Sequence, residues 1–287
     1  MAGTNVTIRR RQLANRLREM RTSAGMTAEQ VAEQLLCSAA KITRMEKAQR
    51  GISQRDVRDL CRIYGVTDED QVRQLMNWAR ESRLPGLRQE YGDLGYDAIY
   101  TYMDLEAAAS SIIELQISYL PALFQTEEYA RALIRGLLPG IRQEVLDRRV
   151  EARIKRQELL AKHEPPRYWT FVDEAALHRV TGDAAVMAAQ LEHLLAVGQA
   201  PHVTVQVIPF TAGPYMCADD PFVMFRFRDS HLSDVVYHES LDRVEYLEKP
   251  NELEVYREAV DRLRAIALSP NESLKRIARA KSDFSPS

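Results

Sequence analysis

The chain has 287 residues, of which 45% are hydrophobic and 28% charged, and its formal net charge is −2. This length suggests about two domains, and the composition is that of a folded globular protein. No apolar run approaches the roughly 20 residues of a membrane-spanning helix, and no apolar stretch follows the N-terminal charges. The three cysteines are far apart and form no C-x-x-C pair, which argues against a zinc site or a disulfide framework. We therefore expect a cytoplasmic protein without a membrane span.

The near-neutral net charge hides an asymmetry between the two ends of the chain. Residues 1–84 carry sixteen Lys and Arg against ten Asp and Glu, a net of +6, whereas the remainder carries twenty-three against thirty-one, a net of −8. Attraction to phosphates is therefore expected in the N-terminal part and not in the acidic body.

The first predicted helix carries Leu13, Leu17 and Met20, which step by four and three residues. The arginine run at residues 9–11, before these positions, is either a solvated tail or a phosphate contact. Counting residues 9–50 gives ten basic against four acidic side chains, so this segment has the charge expected of a nucleic-acid contact.

Two further helices are predicted after a glycine. Thr27 is followed three residues later by Gln30, the pattern of a capping box at a helix start. Ser38 is a second N-cap candidate after a short turn. In the helix that Ser38 opens, Ile42 and Met45 are expected to face inward. The residues expected to face outward are Ala39, Ala40, Lys41, Thr43 and Arg44.

A helix end with small residues and cations after a tight turn is what the major groove of DNA admits. We therefore predict a helix-turn-helix in which Lys41 and Arg44 contact bases or phosphates, with Thr27 and Ser38 at helix N-termini facing phosphates. Neither Ala39 nor Ala40 can hydrogen-bond a base, although alanine can contact a thymine methyl. The alternative is a small helical bundle with a solvated basic face.

The pattern resembles the Cro/C1-type (XRE) helix-turn-helix family over residues 13–64. The matching residues are Leu17-Arg18-Glu19-Met20-Arg21, Gly25-Met26-Thr27, Val31-Ala32, Ser38, Ile42-Thr43-Arg44-Met45-Glu46, and Leu60 with Tyr64-Gly65-Val66. In that family the arginine before the glycine pairs with the glutamate that ends the recognition helix, so the resemblance implies a structural ion pair between Arg21 and Glu46. The family often has Gln or Ser where this chain has Ala39 and Ala40.

Two more helices complete a predicted five-helix domain over residues 1–84. One starts at Ser53 and Asp56, and the other runs from about residue 68 to residue 83. Residues 85–103 are predicted to be a linker, and its four tyrosines are expected to pack against the protein's own body or against a partner. They are Tyr91, Tyr96, Tyr100 and Tyr102.

Residues 104–287 are predicted to form a larger α+β domain for regulation and dimerisation. Helices are expected at 104–117, 126–136, 141–162, 173–180, 184–198, 252–267 and 272–280. Strands are expected at 168–172, 203–209, 222–227, 234–238 and 243–247, with the later ones antiparallel.

No motif in this body predicts catalysis, a cofactor or a metal site. The sequence has no G-x-S-x-G elbow, phosphate-binding glycine loop or H-E-x-x-H zinc motif. Asp173 and Glu174 could be an acid/base pair, but capping a helix N-terminus explains them better. Asp219 and Asp220 are best explained as a turn. We therefore expect a protein that is not an enzyme.

The body resembles the C-terminal domain of actinobacterial WhiJ-like regulators of the Scr1-family, antitoxin-like type. The matching residues are those at 119–133, Val150-Glu151-Ala152-Arg153, Arg156-Gln157, Asp173-Glu174-Ala175-Ala176-Leu177 and Val205-Gln206-Val207-Ile208-Pro209-Phe210. Ala122 stands where that family usually has glycine.

The two resemblances together imply a homodimeric, DNA-binding transcriptional regulator, expected to act as a repressor. Its large domain would receive a signal from a small companion protein encoded nearby. One alternative is an antitoxin-like protein that acts by sequestering the companion, and another is a regulator that senses a small molecule.

Overall fold

The computed structural model describes residues 6–82, 97–228, 232–241 and 243–284. Contacts divide the chain into two compact units. The described part of the first unit comprises residues 6–82, 97–108 and 232–233, and that of the second comprises 109–228, 234–241 and 243–284. Among the described residues, no helix is both long and apolar enough to cross a membrane.

The first unit begins with the five predicted helices. They are α1 (Val6–Ser23), α2 (Ala28–Gln34), α3 (Ala39–Glu46), α4 (Gln54–Ile63) and α5 (Glu69–Glu81). Leu13 and Leu17 of α1, Ile42 and Met45 of α3, and Leu60 of α4 are almost fully buried in one shared core. The expected all-α helix-turn-helix domain is confirmed.

The next helix among the described residues, α6 (Asp97–Ala108), packs against α1 and belongs to the first unit. Tyr100 and Tyr102, assigned above to the linker, lie in α6 and are buried, whereas Tyr91 and Tyr96 lie outside the described residues. The domain boundary predicted at residue 104 falls inside this helix. Only residues 109 and 110 separate α6 from the first strand of the second unit.

The helix predicted over 104–117 is wrong, because this range contains the end of α6 and then strand β1 (Ser111–Gln116). Leu105, Ala109 and Ile112 have helical spacing, which explains the error. Pairing with strands on both sides decides the conformation of residues 111–116, and that pairing joins residues distant in the chain.

The second unit is built on a six-stranded mixed sheet with the order β3-β2-β1-β4-β5-β6. The other strands are β2 (Arg167–Asp173), β3 (Val203–Ile208), β4 (Phe222–Arg226), β5 (Val235–Glu239) and β6 (Val244–Leu247). Strands β1, β2 and β3 are parallel, whereas β4, β5 and β6 pair in antiparallel fashion. The expected α+β class with an antiparallel portion is confirmed.

Helices of the second unit pack against this sheet or against one another. They are α7 (Glu127–Leu137), α8 (Gln143–Arg156), α9 (Glu174–His178), α10 (Ala184–Val197), α11 (Pro250–Ile266) and α12 (Pro270–Ser282), with short 3-10 turns at Ala122–Phe124, Gln157–Ala161 and Phe210–Ala212. Leu253 and Leu263 of α11 share a core cluster with Phe171 and Met224 of the sheet. At the β3 edge, the Val207 N–H donates to Ser273 Oγ at 2.9 Å, so the start of α12 closes that edge.

Candidate nucleic-acid interface

The start of α2 is a complete capping box. The Gln30 N–H donates to Thr27 Oγ1 at 3.3 Å, and the Thr27 N–H donates to Gln30 Oε1 at 2.8 Å. Both side chains are exposed. The Thr27 hydroxyl in turn has the Glu29 carboxylate as a hydrogen-bond partner, so it is engaged at the start of its own helix.

The turn after α2 places a non-glycine residue in the left-handed region. Leu36 has φ 52° and is 93% exposed. Its N–H donates to the Glu33 carbonyl at 3.2 Å, and the Cys37 N–H donates to the Ala32 carbonyl at 2.9 Å. These two bonds form a Schellman motif, which usually has glycine at the position of Leu36. Helix α2 thus ends at Gln34, and only residues 35–38 separate it from the start of α3.

Helix α3 begins at the exposed Ser38, whose Oγ accepts from the Lys41 N–H at 3.2 Å. Ile42 and Met45 are each 1% exposed and anchor the helix in the core. The opposite side of α3 therefore faces solvent. Its exposed residues are Ala40 and Arg44, and the C-cap residue Lys47 directly after the helix is also exposed, whereas Ala39 and Thr43 are half-buried.

Lys41 does not share this outward position. Its ammonium contacts Asp56 Oδ1 at 2.8 Å, and the two side chains are only 24% and 22% exposed. Asp56 also accepts hydrogen bonds from the backbone and hydroxyl of Ser53 in the capping box of α4. The Lys41 side chain thus joins the flank of α3 to the start of α4, a contact that spacing along one helix does not reveal.

The outward cations of this surface are Arg44 of α3 and Lys47, the C-cap residue that follows the helix. Arg44 Nε donates to the Ala40 carbonyl of its own helix at 3.3 Å, which leaves its other guanidinium donors directed to solvent. Within the part of the chain that the structure describes, neither side chain has a carboxylate partner. Lys47 is not among the contact residues predicted from the sequence; its position three residues after Arg44 is the signal that could have identified it.

Arg21 and Glu46 form the ion pair that the family resemblance implies. Arg21 Nε and Nη2 donate to the two carboxylate oxygens at 2.7 and 3.0 Å, and Nη1 donates to the Met26 carbonyl at 2.7 Å. The pair holds the end of α3 against α1. The hydrogen bond from Arg21 to Glu46 raises the pKa of the guanidinium, although burial opposes this shift.

The arginine run is partly engaged within its own unit. Arg10 is half-buried, and its Nη2 lies 3.5 Å from the Ser82 carbonyl. Arg11 is likewise half-buried. These two side chains are therefore not a solvated tail.

Asp173 and Glu174 have structural roles in the second unit. Asp173 Oδ1 caps α9 by accepting from the Ala175 N–H at 2.8 Å. The Glu174 carboxylate is buried and accepts from the Phe210 N–H at 2.8 Å and from Arg276 at 2.5 Å. Throughout the described ranges, no three His, Cys, Asp or Glu residues are arranged to hold a metal ion.

Comparison with known families matched two regions of the chain. A model described as "Helix-turn-helix domain" matches residues 12–75, and a model described as "Domain of unknown function (DUF5753)" matches residues 99–279. No curated protein and no solved structure gave a match. The helix-turn-helix match supports a DNA-binding regulator.

Proposed function

We propose that this chain, which belongs to the DUF5753 family, is a sequence-specific DNA-binding transcriptional regulator that acts as a repressor. The observation that carries the proposal is the outward side of α3. It presents a small residue, Ala40, between a capped helix start and the two outward cations Arg44 and Lys47. A helix with this surface can approach the floor of the major groove closely.

In this proposal α3 is the recognition helix and α2 lies across the DNA backbone. Arg44 reads a base edge, because a guanidinium can donate two parallel hydrogen bonds to guanine. Thr27 and Ser38 mark helix N-termini, where free backbone donors suit phosphate oxygens. The proposed contact set is Thr27, Ser38, Ala39, Ala40, Thr43 and Arg44, and we add the exposed Lys47. Lys41, which the sequence pattern includes in this set, is left out of the proposal because its ammonium contacts Asp56.

Selection from a pool of random duplexes, followed by affinity measurements on the enriched sequence, tests this proposal. Arg44→Ala is expected to cost about 1–3 kcal/mol on the enriched sequence and to relax selection at one position. Arg73→Ala on α5 is the matched control, since Arg73 is also exposed but pairs with Asp70 of its own helix. The assignment of α3 would fail if the two variants bound equally well.

The C-terminal domain is proposed to regulate DNA binding and to carry the dimer contacts. Its net charge of −8 beyond residue 84 supports a separate role, because a partner could bind there without competing with phosphates. The proposed signal is a small companion protein. Gel shifts of the full-length chain with the selected duplex, with and without the product of a neighbouring small gene, test this. An unchanged shift with every such protein would count against the companion.

A homodimer is proposed because one helix-turn-helix contacts only a few base pairs. Two-fold dimers place their recognition helices about 34 Å apart, on one face of the DNA. Light scattering at micromolar concentration, with and without the selected duplex, is expected to give twice the chain mass. A monomer under both conditions would contradict this.

A further inference from the structure

We infer that Asp56 withholds the Lys41 ammonium from DNA and thereby sets how many cations the recognition helix contributes. The inference rests on the proposed DNA-binding function and concerns the same surface. It assigns Asp56 as a positioning residue that acts on DNA binding through Lys41.

The geometry restricts Lys41 at both of its donor groups. Its backbone N–H donates to Ser38 Oγ at 3.2 Å, and its ammonium lies 2.8 Å from Asp56 Oδ1. Ile42 and Met45 face the core, so Lys41, next to Ile42, lies on the flank of α3 rather than on its outward side. To reach a phosphate, the ammonium would have to leave Asp56.

Asp56 is well placed to keep its partner. It lies in the first turn of α4, where the positive end of the helix dipole favours a carboxylate. Burial raises the pKa of Asp56, but hydrogen bonds from Lys41 and Ser53 lower it by more, so the pKa lies below its ordinary value. The carboxylate is therefore charged at neutral pH. A phosphate must compete with a partner that is already held at contact distance.

The neighbouring cations of α3 differ in this respect. Arg44 and Lys47 have no carboxylate partner among the residues that the structure describes, so they can approach phosphates without breaking an ion pair. The pair between Lys41 and Asp56 thus removes one of three cations, two within α3 and one at its C-cap, from the surface proposed to face DNA. Removing the charge of Asp56 should make the Lys41 ammonium available to DNA phosphates.

The test measures how salt weakens the binding of the full-length chain to a labelled 30-base-pair duplex of mixed sequence, between 50 and 200 mM. Each phosphate contact contributes about 0.9 to the slope of log affinity against log salt. Asp56→Asn keeps an oxygen for the capping box but removes the charge. The salt dependence of the Asp56→Asn variant is expected to be steeper by about 0.9 in slope. This corresponds to an additional loss of about threefold in affinity between the two salt concentrations.

Asp59→Asn is the matched control. Asp59 lies on the same helix, its side chain is 24% exposed, and its nearest cations are arginines at 3.9–4.0 Å. This variant loses the same charge without touching Lys41, so its slope should stay at the wild-type value. Equal slopes for Asp56→Asn and Asp59→Asn would overturn the inference.

Lys41→Met provides a second test that does not need Asp56→Asn to fold. If Asp56 holds the ammonium, the Lys41→Met variant should have the wild-type slope. The double variant Lys41→Met, Asp56→Asn should also have the wild-type slope, without the increase expected for Asp56→Asn alone. A slope flatter by about 0.9 in Lys41→Met would show that Lys41 already contacts DNA, and would overturn the inference. If the wild-type protein bound no duplex at any salt concentration, the proposed DNA-binding function would be overturned together with the inference. If it bound DNA but the variants showed the unexpected slopes, only the inference would be overturned.

Discussion

Arg21 and Glu46, twenty-five residues apart in the chain, are joined by two parallel hydrogen bonds of 2.7 and 3.0 Å. Their side chains are 17% and 9% exposed, so the pair is largely shielded from water. The third guanidinium nitrogen holds the Met26 carbonyl just before α2. One side chain of α1 thus orients both helices of the helix-turn-helix.

Arg21→Lys should therefore destabilise the first unit, because an ammonium cannot make two parallel bonds and also reach Met26. We expect a loss of about 1–3 kcal/mol in the free energy of unfolding. Urea unfolding followed by Trp78 fluorescence in a Trp169→Phe background measures it, because Trp78 lies in the first unit and Trp169 in the second. The control is Arg16→Lys, in an exposed pair with Glu19, which should cost under about 0.5 kcal/mol. An equal loss of stability in the Arg21→Lys and Arg16→Lys variants would contradict the role given to the Arg21–Glu46 pair.

At two helix ends of the first unit, replacing glycine by alanine and alanine by glycine should have opposite effects on the free energy of unfolding. Gly25 and Ala48 both have positive φ, 68° and 55°. A Cβ on Gly25 would meet nothing within 4 Å, so Gly25→Ala isolates the conformational cost, about 1 kcal/mol. Ala48→Gly should instead raise the unfolding free energy by up to about 1 kcal/mol. The same urea experiment measures both, and effects of the same sign would contradict the argument.

Tyr64→Phe should stabilise the first unit or leave it unchanged. The Tyr64 hydroxyl is buried and makes no hydrogen bond to any residue that the structure describes. Burial raises the pKa of this phenol, which therefore stays neutral. Removing an unsatisfied buried group is expected to add up to about 1 kcal/mol. Tyr129→Phe is the control, because its hydroxyl accepts from the Leu120 N–H; that variant should lose about 1 kcal/mol in the second unit.

Glu174 predicts how the second unit responds to acid. Burial raises its pKa, but hydrogen bonds from the Phe210 N–H and Arg276 lower it by more, so the net pKa lies below its ordinary 4.5. A depressed pKa stabilises the folded state above the unfolded value, and this stability is lost as pH falls through the folded value.

Glu174→Gln should thus be less stable than the wild type at pH 7, by about 1–3 kcal/mol, and the difference should shrink as the pH falls below about 4.5. Urea unfolding followed by Trp169 fluorescence in a Trp78→Phe background measures this. Glu258→Gln, at an exposed pair within α11, is the control and should show little change. A stability difference between Glu174→Gln and the wild type that stayed constant down to pH 3 would disprove the stabilising role of the charged Glu174 carboxylate.

The local features of the helix-turn-helix could be predicted from the sequence. The capping box of Thr27 and Gln30 joins residues three apart, so its spacing alone specifies it. The burial of Ile42 and Met45 follows from the helical period in the same way. Strand β3 was predicted from its alternating valines.

The tertiary structure decided the features that depend on distant residues. Residues 111–116 became a strand because β2 and β4 pair with them, although Ile112 continues a helical spacing. Lys41 was expected on the outward face, but Asp56, fifteen residues away, holds it on the flank of α3. Such pairings depend on how separate elements pack, and periodicity within one element carries no information about the partner that another element brings to it.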